Sequence, residues 1–339
     1  MGAAALMPAF ADAGDAGHVG SVPGESRPGL CLGFQAFAVR DLCEKDFPGT
    51  LKAAKAMGYE GVETGRFYGR GAKELKAVCD DAGLELFALQ LYPHTIVEPQ
   101  LAETIRFCKA CGCRRINVAW YKGSAENPND WQLLINVINH AAEVCACEGI
   151  TVAYHNHDHE FRMRFDGKCV WEWLWESSPE NESLRQITAV PRFSPIVMQE
   201  LDCGNCVLGG GDPVCWLDRY PRRNPTVHIM PAIEETGARP GECGVGSKSD
   251  RADWPRIIDS LKRNGTEWLA VKPVAFPDSL ADLQASAEYL RGLGVGRTGL
   301  RSALWYPCDH GSPLVSMRRS VYCGTLRRRE FSGRAGGCL

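Results

Sequence analysis

A chain of 339 residues, 45% of them hydrophobic, is long enough to bury one large core, and a closed α/β barrel of about 250 residues fits within it as a single domain. A formal net charge of -3 gives no electrostatic case for nucleic acid, and no run of apolar residues is long enough to span a bilayer.

The charge is unevenly placed. From Gly296 to Leu339 there are eight Arg, no Lys and two acids, Asp309 and Glu330, so a basic tail follows an acidic body. Residues 296–339 therefore read as a solvated, poorly ordered extension. Residues 1–29 read as an irregular, disordered lead-in, rich in Gly, Ser and Pro from residue 14 onward. Within it, Gly2 to Ala13 has the apolar character and small residues of an export signal but lacks a basic start. Sixteen Cys fall in no paired pattern. Cys108-x-x-Cys111-x-Cys113 has no second pair and Cys203-x-x-Cys206 lacks redox flanks, so both read as small buried hydrophobes. Unpatterned thiols favour a reducing compartment, so a cytoplasmic location is expected, with export as the alternative if the lead-in is the remnant of a signal peptide.

The body, residues 30–295, begins with a run fit for a buried strand, Leu30 to Val39. A helix from Phe47 to Met57 follows, then strand Gly61 to Thr64, helix Lys73 to Ala82 and strand Leu84 to Leu91. Pro99 to Cys111 is helical, Arg115 to Trp120 a strand, and Asp130 to Glu148 a long helix stopped at Gly149. The fifth strand carries Val152 into Tyr154-His155-Asn156-His157-Asp158. Helix Trp171 to Ser177, strand Ile196 to Leu201, helix Pro213 to Tyr220 and strand Thr226 to Met230 repeat the rhythm. Asp253 looks like an N-cap for helix Pro255 to Asn264. Strand Trp268 to Val274 and helix Leu280 to Leu293 close the series.

Eight strands alternating with helices imply parallel pairing and point to a closed (β/α)8 barrel. An open doubly wound sheet competes, but no glycine-rich nucleotide turn follows the first strand. In a closed barrel the reactive groups gather where the strands end. Gln35, Glu63, His155, His157, Asp202, His228 and Lys272 would then face or rim one mouth. Alternation sends His155 and His157 to one side while Asn156 turns away.

Gly33-Phe34-Gln35 with Val39-Arg40-Asp41, Gly58-Tyr59-x-Gly61-Val62-Glu63, the His-Asn-His box, Glu200-Leu201-Asp202 with Gly210-Gly211-Asp212-Pro213, Val227-His228 and Gly244-x-Gly246 leading to Asp253-Trp254 occur in order. In this the chain resembles the sugar phosphate isomerase/epimerase family of xylose isomerase-like TIM barrels, in its branch with a His-Asn-His box, over roughly residues 30–293. The resemblance implies a divalent metal (Mn, Mg, Co or Zn) at the mouth, held by ligands from strands five to eight. By position these are His155, Asp202 and His228, but Lys272 stands where the fourth ligand, a Glu, belongs. A lysine ammonium about 4 Å from a unit positive charge costs roughly 4 kcal/mol at an effective dielectric of 20, and about twice that beside a divalent ion. Lys272 thus either acts as a base in its neutral form, swings away, or supplies the positive charge itself.

The implied activity is proton transfer next to a carbonyl on a sugar or sugar phosphate, with His157, Glu160 and Lys272 as catalytic candidates. Gln35, Glu63, Trp120, Glu200 and Glu242 are the substrate-binding candidates, with Phe34 and Tyr68 as further apolar walls. Arg239 and Lys248 are the basic candidates for a phosphate. The alternatives are elimination on a keto sugar or inositol at the same site, or a catalytically degenerate sugar-binding barrel produced by Lys272. A small carbohydrate is the expected partner, with no nucleic acid and no membrane; the sequence sets no oligomeric state.

Overall fold

Every strand expected in the body forms, and all eight run parallel. The structure, a computed structural model, describes residues 29–123, 127–165, 167–176, 192–234, 242–273 and 279–296. The expected lead-in and the basic tail lie outside the described residues, apart from Gly29 and Gly296. The barrel strands are β1 (Cys31–Gln35), β2 (Gly61–Thr64), β3 (Glu85–Leu91), β4 (Arg115–Val118), β5 (Thr151–His155), β6 (Met198–Glu200), β7 (Thr226–Ile229) and β8 (Trp268–Val271). Hydrogen-bonded neighbours run from β1 through β6 in sequence order, and β1 also pairs with β8, which pairs with β7. The seam between β6 and β7 carries a single parallel bridge, Asp202 to His228, where the His228 N–H donates to the Leu201 carbonyl at 3.0 Å. Two candidate site residues therefore sit on the closure of the barrel itself.

Helices between the strands pack their apolar faces on the outside of the barrel. The strand residues that point outward, among them Leu32, Phe34, Val62, Ile116, Val152, Val227 and Leu269, are fully buried against helical residues such as Leu51, Leu75, Ile135 and Leu261. Each such side chain contributes about 1.5–3 kcal/mol by leaving water. Inside, the floor is built from Cys31, Phe87, Ala88, Trp268 and Ala270. Phe87 and Trp268 stack with centroids 4.4 Å apart. Their bulk explains two glycines: a Cβ on Gly33 would lie 2.4 Å from Phe87, and one on Gly61 would lie 2.6 Å from Trp268.

Several boundaries differ from the sequence reading. Helix Arg40–Ala56 starts seven residues early, because a short first segment breaks at Asp46 and restarts where Asp46 Oδ1 accepts from the Gly49 N–H at 2.9 Å. Pro48 sits just past that break, in the first turn of the second segment, where its missing N–H costs nothing. β4 stops at Val118, since Trp120 adopts a left-handed φ of 62° and leaves the ladder. The short helices His159–Arg162 and Cys203–Leu208 had no periodic signature long enough to be read.

Candidate functional site

Above the aromatic floor each strand from β1 to β7 turns a polar side chain inward near its C-terminal end. These are Gln35, Glu63, Gln90, Asn117, His155, Glu200 and His228, and all but Gln90 are buried. They form one network. Asn117 Nδ2 donates to Glu63 Oε1 at 2.7 Å, to Glu200 Oε1 and to Thr226 Oγ1 at 3.3 Å. With Oε1 of both glutamates tied to Asn117, each Oε2 is left for an imidazole. Glu63 Oε2 stands 2.6 Å from His228 Nε2, and Glu200 Oε2 stands 3.4 Å from His155 Nδ1. Gln35 Nε2 donates to Gln90 Oε1 at 2.6 Å, and Gln90 Nε2 in turn approaches His228 Nε2 at 3.3 Å.

Two residues beyond Glu200, Asp202 faces the other nitrogens of the same rings. Its Oδ2 lies 3.9 Å from His155 Nε2 and 3.8 Å from His228 Nδ1. Asp202 also caps the helix Cys203–Leu208, with Oδ1 accepting from the Asn205 N–H at 2.9 Å and Oδ2 from Asn205 Nδ2 at 2.8 Å. Lys272, just past β8, brings its ammonium to 4.0 Å from Asp202 Oδ2.

The His-Asn-His box behaves as the alternation requires. His155 and His157 meet edge to face at 5.0 Å, while Asn156 turns away and binds the backbone of Asp202. His157 then meets the edge of Trp120 at 4.9 Å, and Trp120 is 58% exposed on the rim. Glu160 folds back under this turn: its Oε1 accepts from the Tyr154 hydroxyl at 2.6 Å and its Oε2 from the His157 N–H at 2.8 Å.

Burial dominates the electrostatics here. It holds the Glu200 carboxyl well above the usual carboxylate range, with the neighbouring charge of Glu63 adding to the effect. It pushes the Glu160 carboxyl up to about 8, against the pull of the Tyr154 hydroxyl and the His157 N–H. The same burial, then the charges of His228, His157 and Lys272, keeps His155 well below the ordinary histidine value. Burial, then the charge of Lys272, lowers His157 to about 2.

These residues fit a divalent ion. His155 Nδ1 and His228 Nδ1 are buried without a hydrogen-bond partner. Ligand atoms of His155, Glu200 and His228 lie within 4.8 Å of one another. Two imidazoles and a carboxylate make a donor set suited to a divalent transition ion.

Of the residues singled out from the sequence, Gln35, Glu63, His155, Glu200, Asp202 and His228 come together. His157 and Lys272 stand at the edge of that group, and Trp120 lies outward of His157. Five others do not reach it as expected. Glu160 spends both oxygens on its own turn. Phe34 lies on the outer face of β1 with its ring edge to face on Tyr59, and Tyr68 stacks on Phe47 of the first helix, so neither walls the mouth. Glu242 is exposed on a stretch that is fastened to the last helix, where the Cys243 N–H donates to Asp282 and the Val245 N–H to Ser286. Lys248 is likewise exposed, and Arg239 lies outside the described residues. The sequence reading overlooked Gln90, Asn117 and the clamp made by Asn156. Alternation alone puts residues 90 and 117 on the inward face, but a neutral amide carries no further mark of a role.

A family model described as xylose isomerase-like TIM barrel matches residues 51–293. The chain belongs to that family. An inosose dehydratase from Clostridium botulinum is 24% identical over 206 residues, covering 55% of this chain and 63% of the relative. The chain thus spans under two thirds of the length of the curated relatives it matches. A solved sugar phosphate isomerase/epimerase from Parabacteroides distasonis superposes with a TM-score of 0.62 at 21% identity, over 78% of this chain and 98% of its own. A D-allulose 3-epimerase from a Methylomonas species, solved with D-allulose, gives a TM-score of 0.55 at 14% identity, over 78% and 97%. At these identities the solved structures speak for the fold. Among the described residues no helix is long and apolar enough to cross a membrane.

Proposed function

We propose that this protein is an enzyme acting on a polyhydroxylated carbonyl compound, a sugar or cyclic keto sugar, by moving a proton at the carbon beside the carbonyl. The observation that carries this reading is the convergence of His155, Glu200, Asp202 and His228 at one end of the barrel. In this reading His155, His228 and Asp202 hold a divalent ion, with Glu200 beside them. Such an ion, when bound, polarises the carbonyl and neighbouring hydroxyl oxygens of the substrate. Lys272 and His157 are the proton carriers facing the bound carbon from β8 and β5. Trp120 covers an apolar face of the ring, Gln35 and Glu63 support the site from beneath through Gln90 and His228, and Glu160 fixes His157 by accepting from the His157 N–H.

Elimination of water is the second reading, favoured by the inosose dehydratases among the relatives. Both begin with the same proton abstraction and differ in whether a hydroxyl then leaves.

One assay separates them. Purified protein loaded in turn with Mn, Co, Zn or Mg is incubated in deuterated water with ketoses, aldoses and inososes, and followed by NMR. Deuterium at the carbon next to the carbonyl in an intact isomer or epimer supports the first reading, and a product lacking water supports the second. No exchange into any substrate overturns both and leaves a sugar-binding barrel.

A further inference from the structure

The two histidines each have a nitrogen on either side, and the two sides are differently furnished. On the inner side stand Glu63 and Glu200, both within strands and both fully buried. On the outer side stand Asp202 and Lys272, both just past the strand ends.

Distances separate the roles of the two nitrogens of His228. Two ligands on bonds of about 2.1 Å stand about 3 Å apart at a right angle and at most about 4.2 Å apart. Glu63 Oε2 and His228 Nε2 are 2.6 Å apart, too close for neighbouring ligands and correct for a charge-assisted hydrogen bond. That bond calls for the proton of His228 on Nε2, which leaves the lone pair on Nδ1. Nδ1 is the buried atom without a partner, and it lies 3.8 Å from Asp202 Oδ2, within the span of two ligands. His155 is placed differently: its partnerless nitrogen is Nδ1, 3.4 Å from Glu200 Oε2, while Nε2 lies 3.9 Å from Asp202 Oδ2. Carboxylates standing behind metal-ligating imidazoles are a general device for fixing tautomer and ring orientation.

We infer that Glu63 is a positioning residue rather than a ligand: it sets His228, so that His228 Nδ1 faces Asp202 as the ligand atom. Asn117 is the common hinge of the arrangement, because its single amide nitrogen fixes Oε1 of both carboxylates and so turns both Oε2 atoms to the rings. This inference rests on the metal-dependent reading above and names the atoms on which it turns.

The test uses the full chain with its eight histidines labelled with ¹⁵N. In the metal-free protein, ring nitrogen shifts should show His228 protonated on Nε2. On titration with zinc, the shifts should show ligation through Nδ1 of His228. Glu63→Ala should scramble the His228 tautomer and weaken zinc binding by 10- to 100-fold. Glu63→Gln, whose carbonyl still accepts from Nε2–H, should keep the tautomer and restore most of the affinity, a rescue that a purely structural role does not produce. Zinc ligated through His228 Nε2, or a wild-type tautomer protonated on Nδ1, overturns the inference while leaving a metal enzyme in place. Failure of the wild type to take up zinc, cobalt or manganese overturns the metal reading itself. The wild-type spectra need no variant, so a Glu63 variant that does not fold leaves the test standing.

Discussion

Asn156 and Asp202 hold each other across two strand ends: Asn156 Oδ1 accepts from the Asp202 N–H at 2.9 Å, and Asn156 Nδ2 donates to the Asp202 carbonyl at 3.2 Å. The middle residue of the His-Asn-His box is thus the fastener that brings the Asp to the two imidazoles. The same contact lies beside the thin seam of the barrel, where Asp202 and His228 make the only bridge between β6 and β7 among the described residues.

Replacing Asn156 by Ala strips the buried Asp202 N–H of its partner and takes one of two donors from the Asp202 carbonyl, which keeps the Cys206 N–H. The expected cost is about 1–3 kcal/mol of unfolding free energy, read from urea denaturation, with weaker metal uptake in the fraction that remains folded. A loss below 0.5 kcal/mol would mean that the seam is held by other contacts.

Glu160 should make stability depend on pH. Its folded value of about 8 stands above the ordinary glutamate value of 4.5, so the unfolded chain releases this proton first as pH rises. Stability therefore falls between about pH 4.5 and 8, and the loss is of the order of a few kcal/mol. Glu160→Gln keeps an oxygen for the His157 N–H and an amide for the Tyr154 oxygen, with nothing to ionise. The difference in unfolding free energy between wild type and variant, measured at pH 5, 6.5 and 8, should move steadily in the variant's favour. A flat difference would contradict the burial argument.

Gly33 tests the barrel floor. A Cβ there meets Phe87, which cannot retreat because it is stacked on Trp268. Gly33→Ala should lower stability by about 1–3 kcal/mol through overpacking. Adding Phe87→Leu to that variant should recover part of the loss, which differential scanning calorimetry can follow.

Lys272 should oppose metal binding. Replacing it by Met removes a positive charge beside Asp202, and replacing it by Glu adds a ligand of the type the resemblance calls for. Cobalt affinity, followed by visible absorption, should rise about tenfold for Lys272→Met and further for Lys272→Glu. An unchanged affinity in both would place the ammonium too far from the ion to matter.

The sequence by itself determined the barrel and the faces of its strands. Gly stops such as Gly83, Gly112 and Gly265, an Asp cap before Pro255 and two-residue alternation are local signals, so eight strands and the inward placement of Gln35, Glu63, His155, Glu200 and His228 could be read directly. Alternation fixes a face but not a rotamer or a partner, and partners here are far apart along the chain. Asn117 meets Glu63 from 54 residues away and Glu200 from 83. Only the tertiary structure decided that Glu63 stands behind His228, that Asn156 fastens Asp202, and that Glu160 turns under its own loop. Each of these depends on which buried donor lies nearest once the ring has closed, because a buried carboxylate must take the partners that the other strands bring to it.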